Sequence, residues 1–126
     1  MLDKNSTIDY YEAIGRLMDG IKKDYAKWSS PEKADTESMS EIKIRMIDEF
    51  NKGLDIKSGK KYDKVIQGGS VWGFIAKDDG VHKGIPHKKG DVFKAAGWRA
   101  PAKWARGSIF DDNQTWFHWT GPNYII

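Results

Sequence analysis

The chain has 126 residues, no cysteine and a formal net charge of +3. That length suits one domain with a modest core, and the missing cysteines exclude both a disulfide framework and a cysteine-ligated zinc site. No apolar run approaches the roughly 20 residues of a bilayer span, and the opening MLDKNSTIDYYEAIG is too polar for a signal peptide, so a soluble cytoplasmic protein is expected. On that reading the Asn5-Ser6-Thr7 sequon is a chance match.

In chain order, Tyr11, Ile14, Met18, Ile21, Tyr25 and Trp28 recur in steps of three and four, the stripe of an amphipathic helix that Ser6 or Thr7 can cap. A second row, Tyr10, Ile14, Leu17 and Ile21, widens the apolar face and predicts a contact with more than one neighbour, hence an oligomer built through the helices. Ser29-Ser30-Pro31-Glu32 supplies a cap and a proline for a second helix, firm from Met39 through Ile42, Met46 and Phe50, with Ile47 alongside and Gly53 as its stop.

After KSGK the pattern changes to strands. KYDKVIQ and SVWGFIAK, separated by Gly68-Gly69, read as a β-hairpin. Strict alternation puts Tyr62, Lys64 and Ile66 on one face, and Trp72 and Phe74 together on one face. Residues 78–90, with Gly80, Gly84, Pro86 and Gly90, read as a polar loop. DVFKAAGW reads as a returning strand, with a turn at Pro101, and RGSIFD and TWFHWTG as further short strands before an apolar tail. The expected fold class is α+β, an N-terminal αα-hairpin followed by a small antiparallel β-sheet core. It forms a single domain over 1–126, with 1–55 for oligomerisation and 61–126 for ligand binding.

Charge is unevenly spread. Residues 1–60 carry 11 basic and 12 acidic side chains, whereas 77–106 carry 8 and 3, and five of the six tryptophans lie in the second half. A basic, aromatic region favours flat anionic partners such as nucleotides. No catalytic constellation accompanies it. His82 and His87 sit in a lysine-rich loop that repels cations, so no metal and no cofactor is expected. Asp111 and Asp112 are adjacent and face opposite ways on a strand, and IQGGSVWG lacks the Gly-Lys-Ser/Thr of a phosphate loop.

What remains is a binding surface. Trp98 to Gly107 gathers Arg99, Lys103 and Arg106 among small residues, and Arg106-Gly107 can present a guanidinium fork to phosphate oxygens. Trp72 or Phe74 can offer a face for a base. The competing reading is a structural turn whose arginine pairs with Asp111 or Asp112. Arg16 and Arg45, each amid apolar neighbours, are either solvated side chains or arginines held for a partner.

SVWGFI (Ser70 to Ile75), GDVFKAAGW (Gly90 to Trp98) and APAKWARGSIFD (Ala100 to Asp111) follow one another after a helical third. In that order they resemble motifs of small phage proteins, and among characterised families the first type of phage anti-Thoeris nucleotide sponge. The resemblance covers about 50 residues and is strongest in the last block. It implies a protein of the infected bacterial host's cytoplasm that sequesters a cyclic nucleotide immune signal without cleaving it. That signal is a cyclic ADP-ribose isomer of Thoeris, or for some members a CBASS cyclic trinucleotide at a separate site, and the assembly is a dimer or hexamer. Phe74 would match the stacking aromatic and Arg106 the arginine of the turn block, while Arg16 and Arg45 would serve a second pocket. The loop at 78–90 departs from the pattern. The alternatives are a phage nucleic-acid-binding module, against which the low net charge counts, and a small structural protein.

Overall fold

The structure, a computed structural model, describes residues 9–29, 37–111 and 114–123, with side chains at all of these except 28, 29 and 37–40. Ser6, Thr7, Ser30, Pro31, Glu32, Asp112, the sequon and the tail 124–126 lie outside the described residues. The architecture is α+β: two helices, then a small antiparallel sheet.

Helix α1 runs Tyr10–Ser29 and α2 runs Glu37–Gly53. Asp9 caps α1, its Oδ1 accepting the Glu12 amide at 2.8 Å, the arrangement that satisfies an orphan N-H of the first turn. Gly53 ends α2 as expected, and its carbonyl accepts the Gly68 amide at 2.8 Å. On α1 the buried row is Tyr10, Ala13, Ile14, Leu17, Ile21 and Tyr25, while Tyr11, assigned to the stripe, is 78 % exposed. Tyr10, Ile14, Leu17, Met18, Ile21 and Tyr25 of the wide face pack within the chain, because α1 lies against α2 and against the sheet's first face. There it joins Leu54, Val65, Trp72, Ile75, Val92, Ile109 and Phe117 in one core. Leu17 and Ile21 are wholly buried, each worth about 1.5–3 kcal/mol.

The main sheet has five strands, all antiparallel, in the order β1 (Leu54–Ser58), β2 (Tyr62–Gln67), β3 (Ser70–Ala76), β6 (Asp91–Ala95) and β7 (Pro101–Ser108). Strand β1 follows Gly53 directly, with no turn residues to announce it. Residues 78–90 are no open loop. They form a second hairpin, β4 (Gly80–His82) and β5 (Ile85–His87), inserted between neighbours β3 and β6. Its turn holds Lys83 and Gly84 at φ 52° and 82°, the backbone that a tight hairpin with right-handed twist requires. The turn expected at Pro101 instead spans 96–100, and Pro101 opens β7 as a strand. Two further short strands, β8 (Phe117–His118) and β9 (Gly121–Pro122), pair with each other.

Three bulges set which side chain faces where. The register slips between Val65 and Ile66 opposite β3, so that Val65 pairs Gly73 while Ile66 pairs Val71, and Trp72 becomes the extra residue. Ile66 keeps the face of Tyr62 and Lys64, because β2 runs in unbroken register with β1, Asp55 opposite Ile66 and Lys57 opposite Lys64. Trp72 turns into the helix-side core and Phe74 into a second cluster with Ala76 and Phe93. The shared face expected for Trp72 and Phe74 does not exist, because a bulge adds one residue and breaks the two-residue period.

Among the described residues Asp63 is the buried charged side chain of the core, 4 % exposed, and its Oδ2 accepts a hydrogen bond from the Tyr10 hydroxyl at 2.7 Å. Burial first, and then the bond to Asp63, push the Tyr10 phenol well above its ordinary range. Tyr10→Phe would strip the carboxylate of this donor, an expected cost of about 1–3 kcal/mol, read as a lower urea midpoint with unchanged slope.

Candidate functional site

The sheet's second face, away from the helices, carries one row across all five strands. Lys57 pairs Lys64, Lys64 pairs Phe74, Phe74 pairs Phe93, and Phe93 pairs Ala105. Two lysines directly opposite one another on antiparallel strands repel. Lys64 stands over aromatic rings, its Nζ 4.6 Å from the Trp98 centroid and 5.8 Å from that of Phe74.

A cavity of about 410 Å³ opens at this corner, lined by Lys57, Ser58, Gly59, Lys60, Lys61, Tyr62, Lys64, Phe74 and Arg99. Five of these are cations, and no carboxylate is among them. Lys77 fixes the rim, because its Nζ donates to Ser58 Oγ at 3.0 Å and to the Gly59 carbonyl at 2.9 Å, while its amide donates to the Lys61 carbonyl at 3.0 Å. The β1–β2 turn that presents Lys60 and Lys61 is therefore held from below. Trp98, 48 % exposed, is an open ring next to the cavity through Lys64, whereas Phe74, at 3 %, supplies only the floor.

The β4–β5 hairpin closes the far side of the same face. His82 packs 5.8 Å from Tyr62 and 5.4 Å from Phe93, and His87 6.0 Å and 5.8 Å from the same rings. His82 Nε2 carries its proton toward the carbonyls of Pro101 and Ala102, at 3.2 and 3.1 Å, which can only accept. Among the described residues no group of three His, Asp or Glu side chains could hold a metal ion.

The structure divides the residues singled out from the sequence. Phe74 and Arg99 meet in the cavity. Trp72 lies in the helix-side core, 3 % exposed, its indole N-H donating to the His118 carbonyl at 2.9 Å. It has no face to offer a base. Arg106 is the extra residue of another bulge, between Gly107 opposite Val92 and Ala105 opposite Phe93. Its guanidinium donates to the carbonyls of Asn123 at 2.9 Å and Trp104 at 3.2 Å. Beside it, Lys94 donates to the Pro122 carbonyl at 2.5 Å, and burial, then Arg106, lower the Lys94 pKa. Both cations tie down the C-terminal segment, away from Phe74. Of the alternative partners of Arg106, Asp111 and Asp112, the second lies outside the described residues.

Gly107 stands opposite Val92 on the helix side, where a Cβ would run into the Trp116 indole. Lys103 lies with its Nζ 5.4 Å from the Trp104 centroid, and Trp104 is 50 % exposed. Arg16 is engaged within the chain, donating to the carbonyls of Ile109 at 2.6 Å and Asp111 at 3.0 Å. Arg45 is exposed on α2, and it does not line the cavity that Arg16 lines with Glu12, Asp19 and Lys23. The residues that the sequence reading passed over are Lys57, Lys60, Lys61 and Lys64. Four lysines within the eight residues KSGKKYDK are the signal that marks them.

The model of a family described as "Family of unknown function (DUF7717)" matches residues 4–125. The chain belongs to that family. No curated protein and no solved structure matches it. Among the described residues, no helix is long and apolar enough to cross a membrane.

Proposed function

We propose that this member of the DUF7717 family binds a small anionic ligand of the cyclic nucleotide kind and sequesters it without cleaving it. One observation carries the reading: Lys57 and Lys64 are paired directly across strands in a cavity with three further cations and no carboxylate. Like charges so placed weaken the free protein and are relieved by an anion between them. Trp98, open beside Lys64 and Arg99, suits a base, and stacking contributes about 1–3 kcal/mol. The volume of about 410 Å³ falls in the range of small-molecule sites. The motif resemblance to anti-Thoeris sponges narrows the ligand to an immune signal of the infected bacterial cytoplasm. In this reading Lys57, Lys60, Lys61, Lys64 and Arg99 hold the phosphates, and Arg106 supports the fold.

The test is capture and release. The protein is incubated with a panel of cyclic nucleotides, freed of unbound ligand and denatured, and the supernatant is analysed by mass spectrometry. One member of the panel is expected back intact and in stoichiometric amount. Recovery of none removes this reading, and recovery of a cleaved product makes the protein an enzyme.

A second reading, a single-stranded nucleic-acid module, is favoured by Trp98 and Trp104, two half-exposed rings each near a lysine. Salt separates the two. A strand spanning several phosphates loses affinity steeply with salt, while a ligand with one or two phosphates loses little.

A further inference from the structure

Helix α2 carries an apolar face that its own chain leaves open. Phe50 and Ile47 turn inward, but Ile42 is 52 %, Ile44 67 % and Met46 38 % exposed. Ile42, Arg45, Met46 and Glu49 follow at i, i+3, i+4 and i+7, one stripe of the helix. Arg45 and Glu49 on that stripe are both exposed. An ion pair of α2 is made elsewhere on the helix, Lys52 to Asp48 at 2.9 Å.

The stripe borders a cleft of about 460 Å³ lined by Tyr25, Met46, Glu49, Phe50, Gln67 and Trp119. Its walls are an aromatic corner. Tyr25 and Phe50 stack in parallel at 4.0 Å, and Trp119 stands at 84° and 85° to them. Its one charged lining residue is Glu49, so the cleft suits a cation that carries apolar surface with it. A guanidinium is such a cation, weakly hydrated and at home on an aromatic face.

We propose that this face binds a second copy of the chain, with the two α2 helices antiparallel about a two-fold axis and Arg45 of each entering the cleft beside Glu49 of the other. The charges argue for this occupant and orientation. A two-fold axis near residue 47 sets Arg45 opposite Glu49, and the symmetry makes the contact twice. Parallel helices would set Arg45 against Arg45. Ile42 and Met46 flank the ion pairs and lose their exposure against the partner helix, giving a stripe of apolar contact around desolvated charges. The interface thus lies on α2. The cationic cavity is on the other face of the sheet, and this inference does not depend on its ligand.

Charge reversal tests it, because both residues are exposed and their exchange spares the core. Sedimentation velocity at micromolar concentration is expected to find a dimer for the wild type. Arg45→Glu alone and Glu49→Arg alone should each weaken association by roughly tenfold or more, since like charges then meet twice. Mixing the two variants should restore the dimer as a heterodimer, in which each acid again faces a base. Circular dichroism confirms that each variant keeps its helices. A monomeric wild type, single variants that dimerise like the wild type, or a mixture that stays monomeric would each overturn the proposal.

Discussion

Replacing Lys57 and Lys64 together by Gln is expected to raise the Kd for the captured nucleotide by roughly two decades, about 3 kcal/mol, the sum of two charge-assisted contacts to phosphate. The same change should make the free protein slightly more stable, by a few tenths of a kcal/mol for Lys57→Gln alone, because the cross-strand repulsion disappears. Opposite signs are the signature of residues kept for a ligand. A structural lysine would lower stability when removed and leave affinity per folded molecule alone. Calorimetric titration and thermal melts on the single and double variants read both quantities. Unchanged affinity in the double variant would take the cationic cavity out of the site and return attention to the β7 edge around Lys103 and Trp104.

Gly107→Ala should damage the fold and spare the ligand. The added methyl points at the Trp116 indole, which cannot step aside because Phe117 packs against it with ring centroids 4.8 Å apart. Overpacking of this kind costs about 1–3 kcal/mol, and the upper end is expected here, a fall in Tm of roughly 10 °C for a domain of this size. Affinity per folded molecule should stay at the wild-type value, since Gly107 faces the helix side of the sheet. A variant that melts normally yet loses binding would restore the glycine to the ligand site.

The helical third and the β2–β3 hairpin were legible because their signals are local, whereas the β4–β5 hairpin read as a loop. Periods of three and four, a Gly-Gly turn and β-rich runs need no knowledge of the rest of the chain. Strand β1 escaped because Leu54–Ser58 is short and begins without a break after Gly53. The faces escaped for a different reason. Alternation assigns sides only while the register holds, and here it slips at Val65/Ile66, at Val92/Phe93 and at Phe93/Ala95. Those slips send Trp72 to the helices and turn Arg106 toward Asn123, so two candidates for one site part company with Phe74. Lys57, Lys60, Lys61 and Lys64 were hidden by averaging. Lys57 and Lys60 belong to a stretch in which the acids of the helices cancel them, and Lys61 and Lys64 fall between the two stretches counted, although in space the four gather at one corner of the sheet.

Helix α1 is held at both ends of its middle turns by chain that comes much later. Arg16 binds the carbonyls of Ile109 and Asp111, and Asp24 Oδ2 accepts the amide of Trp119 at 2.8 Å. During synthesis, at about 5–20 residues per second, Asp24 waits for several seconds before Trp119 emerges from the ribosome. Over that interval the sheet can zip hairpin by hairpin, while the apolar row of α1 has only part of its cover. The contacts of residues 109–119 are therefore the last of the restraints on α1 to become available as the chain is made.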